Sequence, residues 1–392
     1  MHIIPSFSSP LALQNAISNG SFTIHQNEFF SMDHSLYRLN WDKNRLERID
    51  SPHKYCTYFS IHFQAMKALL AQQKMPKKPW LSQDLQTSLI LATPILHSLR
   101  FDQMLTQWKQ AKRGEERAIA AQRIQHAYRT QAAILDLSHL PITTLPKQLP
   151  DTIKTLSLRH TAIKTLPKRL PNRLERLDLS DSAVTVLPQS LPGTLQSLDL
   201  SHSEITRLPK TLPNHLHDLC IKHTRITKLP KSLPNTLQTL DCRHCPITTL
   251  PSTLPHNLLW LYLSYTAITR LPESLPNNLK WLDLTHTNVT QLPQRLPNSL
   301  QSLKLGETRG IRRLPNPLPH DLLWLDLNHS AVTALPSHLP DALVSLNISH
   351  TMITRLPTRL PNHLHWLTLP NRTLTTQSNR QDTHNTARRF ET

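Results

Sequence analysis

The stretch Leu174-Glu175-Arg176-Leu177-Asp178-Leu179-Ser180-Asp181-Ser182-Ala183-Val184-Thr185-Val186-Leu187-Pro188-Gln189-Ser190-Leu191-Pro192-Gly193-Thr194 decides how this chain folds, because it recurs. Units of the same form begin at residues 132, 153, 174, 195, 216, 237, 258, 279, 300, 322 and 343, and a partial unit opens at Leu364. The period is 21 residues, except that the unit at 300 carries one extra, with Gly310 where it must be absorbed. Positions are numbered 1 to 21 from Leu174 and its equivalents. The alternation of Leu177 and Leu179 predicts a short parallel strand with both side chains turned inward. One such unit cannot bury its apolar face alone, so the units must stack on one another. Two prolines per unit, 22 of the chain's 32, hold the return segment extended and predict no long helices on the convex side.

Composition narrows the class. The 392 residues carry a formal net charge of +18, which points to acidic partners, nucleic acid or a membrane surface. Four Cys are too few for a disulfide-stapled secreted scaffold of this size. No apolar run is long enough to span a membrane. Met1-His2-Ile3-Ile4-Pro5 lacks the basic and apolar regions of a cleaved signal peptide, so general secretory export is not expected.

The pattern L-x-x-L-x-L-x-x-[T/S/C]-x-I-x-x-L-P-x-x-L-P resembles the leucine-rich-repeat signature. The expected fold is a leucine-rich-repeat solenoid of short parallel β-strands with an extended Pro-rich convex side, preceded by an α-helical hairpin cap. The ninth position, usually Asn in such repeats, is Leu140 in the first unit, Cys245 in the sixth, and Thr or Ser elsewhere. Hydroxyls there can form a shorter version of the Asn ladder. The cap is read from 101–131, where Gln103–Arg113 and Glu115–Thr130 carry apolar residues at helical spacing on either side of Gly114. Residues 1–100 show no repeat and read as a leader and uncharacterised region. Pro5, Ser6, Ser8, Ser9, Ser18 and Gly20 suggest mobility, and compact structure is expected around Phe59–Leu70 and Leu85–Leu99. The repeats run over 132–370, and the polar tail 371–392 reads as disordered.

Two stretches carry a closer resemblance. They are the Leu-Pro repeat itself and the segment from Trp108 through Gly114, Glu115, Arg117, Arg123 and Ile124 into Ala133-Ile134-Leu135-Asp136-Leu137. Together, over roughly 101–370, they resemble the LPX-type bacterial leucine-rich-repeat effectors of the YopM, IpaH and SspH kind, with the helical hairpin running into repeat one. The resemblance implies a virulence effector delivered into a host cell by a specialised secretion system, acting in host cytoplasm or nucleus. Ligase members carry a helical domain with a catalytic Cys after the repeats. Here 29 residues follow from Leu364 and none is Cys, so no ligase activity is expected.

No catalytic residue, cofactor or metal is expected. Cys56 and His62 do not make a nucleophile–base pair by themselves. Cys242 and Cys245, with Cys220 nearby, invite a zinc reading, but the register places them at inward positions six and nine, with structural duties. Position 8 is His in eight units, including His202, His223 and His244, a column best explained by duplication. Arg123-Ile124-Gln125-His126-Ala127-Tyr128-Arg129 resembles half of a calmodulin-binding motif, but a cap helix accounts for the same residues.

The concave face offers the sharper candidates. Position 3 is Trp at 260, 281, 324 and 366, where alternation points side chains away from the core, and exposed aromatics there suggest a contact surface. The expected partner-binding set is Trp260, Tyr262, Tyr265, Trp281, Asp283, Trp324, Asp326 and Trp366, taking a host protein. A competing surface is the basic return side, including Lys168, Arg169, Lys210 and Lys231, which would suit nucleic acid or anionic membrane.

Overall fold

The computed structural model describes residues 22–25, 29–32, 35–40, 45–48, 101–102, 104–111 and 116–370. The readings made for Phe59–Leu70, Leu85–Leu99, Cys56, His62, Gly114, the leader's first 20 residues and the tail lie outside these. The chain divides into two compact units, 1–112 and 113–392.

In the first unit, β1 (Phe22–His25), β2 (Phe29–Met32), β3 (Ser35–Asn40) and β4 (Arg45–Arg48) form an antiparallel meander in that order. Met32 pairs with Ser35, so two residues join β2 to β3, the shortest common hairpin connection. These strands lie in a stretch with no repeat to announce them. Residues 104–110 are helical, with Leu105 and Trp108 buried.

The second unit opens with helix α1 (Arg117–Thr130), whose Ala120, Ala121, Ile124 and Ala127 are buried. Its last turn ends at Gln131 in the left-handed conformation, whose N–H bonds back to the helix. Arg123 donates to the Asp136 carbonyl, tying helix to first strand. Ile124, the second residue of the calmodulin-like motif, is fully buried and serves the helix's packing.

Twelve three-residue strands then form one parallel sheet in sequence order: β5 (Ile134–Asp136), β6 (Thr155–Ser157), β7 (Arg176–Asp178), β8 (Ser197–Asp199), β9 (Asp218–Cys220), β10 (Thr239–Asp241), β11 (Trp260–Tyr262), β12 (Trp281–Asp283), β13 (Ser302–Lys304), β14 (Trp324–Asp326), β15 (Ser345–Asn347) and β16 (Trp366–Thr368). The fold is a leucine-rich-repeat solenoid. Each strand pairs with the next in strict repeat register, as Leu261 with Leu282 and Leu303 with Leu325. In β5 to β15 the middle residue is buried and its two neighbours face out, as period-2 side chains require. In β16, the last strand, the middle Leu367 is only half-buried. Positions 1, 4, 6 and 11 are almost all sealed: Leu258, Leu261, Leu263 and Ile268 are each 0% exposed. Each such burial stabilises by about 1.5–3 kcal/mol. The return segments contain no helix among the described residues, as their prolines predict.

The turn after a strand combines two side-chain hydrogen bonds with one special backbone conformation. Asp at position 5 accepts the N–H of position 7, as Asp178 from Ser180 and Asp283 from Thr285, an Asx turn. Position 8 is left-handed in all eleven full units, with φ between 52° and 60°. His tolerates that region better than most residues, which gives the His column a conformational reason beyond copying. Its N–H donates to the next unit's position 7 carbonyl, as His244 to Ser264. The hydroxyl at position 9 then donates to the position 6 carbonyl of its own unit, as Thr266 to Leu263 at 2.6 Å, except at Ser330, whose buried hydroxyl has no partner among the described residues. The expected hydroxyl ladder therefore runs within units. A hydroxyl reaches the carbonyl three residues before it in its own turn. Position 21 also links units, where Thr236 donates to the Asn214 carbonyl of the preceding unit as well as to the Leu216 carbonyl of its own.

The extra residue of the ninth unit is absorbed at Gly310. A Cβ there would lie 2.4 Å from the Val289 carbonyl oxygen, so only glycine permits the approach.

Candidate partner-binding face

The outward positions of β5 to β16 form the concave surface, and its chemistry changes along the solenoid. From β6 to β10, position 3 holds Thr155, Arg176, Ser197, Asp218 and Thr239; from β11 onward, tryptophan recurs at 260, 281, 324 and 366. Trp281 and Trp324 stand two strands apart, about 9.6 Å between backbones. Their ring centroids nevertheless meet at 6.5 Å. They lean toward each other over Ser302, which is 0% exposed. Beneath them opens a cavity of about 340 Å³ lined by Trp281, Ser302, Lys304, Trp324, Leu325, Asp326, Ser345 and Asn347. The Lys304 ammonium sits over the Trp281 ring, 5.0 Å from its centroid.

Trp281 also meets Tyr262 at 6.2 Å. Arg243 lies over Tyr262 at 5.1 Å and makes two hydrogen bonds to the Asp241 carboxylate, from Nε and from an Nη at 2.9 and 2.6 Å. Arg243 thus edges the patch, a contribution that position-by-position reading of the aromatics missed; its spacing two residues after Asp241 was the available signal. Burial raises the Tyr262 hydroxyl above the usual phenol value, so it stays protonated and can donate.

The expected set therefore separates. Trp260, Tyr262, Trp281 and Trp324 share the concave face of β11 to β14. Asp283 and Asp326 lie beside them, but each spends Oδ1 on its own turn, and Asp283 is only 9% exposed. Tyr265 occupies position 8, stacked between His244 at 4.2 Å and His286 at 4.3 Å, so it belongs to the ring column rather than to the patch. Trp366 stands on β16, 61% exposed beside His365, two strands beyond Trp324.

The ring column runs along one margin of the sheet. His202, His223, His244, Tyr265 and His286 stack continuously with centroids 4.1 to 4.3 Å apart. His329 and His350 form a second stack at 4.0 Å. Between the two, Glu307 takes position 8 and pairs with His286 at 2.9 Å.

Cys242 and Cys245 are core residues, and Cys220 is half-buried on the outward side of β9. Cys242 is 0% exposed, and burial pushes its thiol well above the usual value; Cys220 is pushed up to about 12 by burial and by Asp199. A thiol that holds its proton is a poor nucleophile and a poor metal ligand. Among the described residues no group of three His, Cys, Asp or Glu side chains is placed to hold a metal ion. None of the described helices is long and apolar enough to cross a membrane.

Repeat, register and turn define a leucine-rich-repeat fold, and the Leucine Rich Repeat family model matches residues 236–258. The chain is similar to a solved leucine-rich-repeat protein of Leptospira interrogans, 28% identical over 60% of this chain and 66% of that one, with a TM-score of 0.56. It therefore spans just under two thirds of that protein's length. The functional domain of InlJ from Listeria monocytogenes shares the fold at a TM-score of 0.55 and 21% identity, over 65% of this chain and 56% of that one. YopM from Yersinia enterocolitica is similar over 71% of this chain and 73% of its own, at 25% identity and a TM-score of 0.39. No curated protein sequence matches the chain.

Proposed function

We propose that this protein is a non-enzymatic scaffold that binds a host protein through the concave face of β11 to β14. One observation carries the reading: large aromatic rings stand outward where β6 to β10 place Thr, Ser, Arg and Asp. The fold gives no reason for them, since Ser302 and Ser345 fill the same position in an unbroken sheet. Exposed tryptophan flanked by polar groups is the composition of binding hot spots. Delivery into the host cell as an effector follows from the sequence resemblance of 101–370 to the LPX-type group.

The test compares the full chain with a Trp260→Ala, Trp281→Ala, Trp324→Ala variant in capture from host-cell lysate. The captured protein should vanish with the variant while its thermal unfolding stays cooperative. An unchanged capture removes this face from consideration.

A second reading rests on charge segregation. Basic residues outnumber acidic ones on the return segments, where Lys164, Lys168, Arg169 and Arg173 cluster in one unit, whereas acidic residues outnumber basic ones on the strand side. Such a surface suits nucleic acid or anionic lipid. Its affinity would fall steeply with salt; a flat salt response eliminates it.

A further inference from the structure

We propose that the cavity between Trp281 and Trp324 receives a glutamate side chain of the protein partner, its carboxylate bound by Lys304, Ser302 and the Trp281 indole. The proposal rests on the concave face being the partner-binding surface and names the chemistry of one contact within it.

The cavity is a set of unused donors. The Ser302 hydroxyl is buried with no hydrogen-bond partner among the described residues, and so is the Trp281 Nε1–H. Buried polar atoms are ordinarily paired, and two unpaired ones on adjacent strands mark a place where an outside group completes the bonding. The indole can only donate, so that group must be an acceptor. Lys304 adds a positive charge, and among the described residues no carboxylate lies within ion-pair distance of it; its recorded contact is the Trp281 ring. Ammonium, indole and hydroxyl together fit a carboxylate, whose charge-assisted hydrogen bonds are the strong ones. The two leaning rings supply apolar walls for a short methylene stem, which a glutamate side chain has and a bare inorganic anion lacks.

One group opposes the guest. Asp326 lines the same cavity, its Oδ1 held by the Asn328 N–H. Its charge repels an incoming carboxylate, which gives the proposal a sign that a general stickiness of tryptophan would not share. Asparagine can replace it without breaking the turn, because Asn347 makes the same bond to the Ser349 N–H one unit later.

The experiment titrates the full chain with N-acetylglutamate N-methylamide and with its glutamine counterpart, following the indole N–H signals of Trp281 and Trp324 by NMR. The glutamate probe should shift the Trp281 signal saturably and bind about tenfold more tightly than the glutamine probe. Lys304→Met should abolish the response and Asp326→Asn should strengthen it. Ser302→Ala should weaken binding while leaving thermal stability equal or higher, since it deletes an unpaired buried hydroxyl. Equal binding of the two probes, weaker binding by Asp326→Asn, or no shift at Trp281 overturns the proposal. If lysate capture still depends on the three tryptophans in that event, the concave-face reading stands and only the carboxylate pocket falls.

Discussion

The solenoid carries two aromatic arrays of different origin. The ring column at position 8 recurs in nearly every unit and sits on a residue whose φ is positive in all eleven. The tryptophans at position 3 sit on ordinary extended strand, appear in four units, and are interrupted by serine at 302 and 345. A feature that recurs with the period is answering a demand of the fold, because every turn poses the same steric problem. A feature that breaks the period answers something outside the fold. Aromatic content alone would have ranked the two arrays together.

The comparison is sharpened most by breaking what the period demands. Thr266→Val keeps the shape of a position 9 side chain but strands the Leu263 carbonyl in the core, where Thr266 is 5% exposed. It should cost about 1–3 kcal/mol in chemical denaturation. A loss below a few tenths would show that the turn does not depend on its hydroxyl.

Next in size is the left-handed residue itself. His244→Ile places a β-branched side chain at φ 56° and should cost about 1–2 kcal/mol, whereas His244→Asn should be nearly neutral. If the two variants unfold alike, ring stacking and not backbone geometry selects His. By contrast, Trp324→Ser, which installs the residue of the flanking units, should change stability by less than about 1 kcal/mol, because the 42%-exposed ring packs little of the core. A larger loss would move the tryptophans into the structural class and weaken the case for a binding face.

This division explains what could be read from the sequence. The period, the strands and the sealed leucines were legible because they depend on side-chain alternation, which is a property of the linear pattern. The return segments were legible because proline constrains φ wherever it stands. The left-handed turn was only half visible: His, Asp, Glu and Tyr share position 8, and no hydropathy pattern encodes a positive φ. The Asx turns were present as Asp-x-Ser spacing at 178–180 and 199–201, yet the same aspartates read equally well as surface carboxylates. The meeting of Trp281 and Trp324 was not legible, because it depends on side-chain torsions and on a small residue between them.

The smallest expected effect is one of pH, and it bears on the column alone. His223 is pushed below the ordinary imidazole value, first by burial and then by His244, His202, Lys222 and Arg243. The fold therefore favours the neutral ring. For a base held below its unfolded value, the stabilisation is fully present above that value, near 6.5, and is lost as pH falls through it. Neighbouring rings 4.1 to 4.3 Å apart cannot all take up charge without repulsion. The unfolding temperature should thus drop modestly between pH 7.5 and 5. The drop should shrink in a His202→Asn, His244→Asn variant, where Asn keeps the turn but removes two of the neighbouring charges. An equal drop in both proteins would place the acid sensitivity elsewhere. The Trp281 indole signal should stay unmoved by the same double substitution, since the two arrays share a sheet but not a cause.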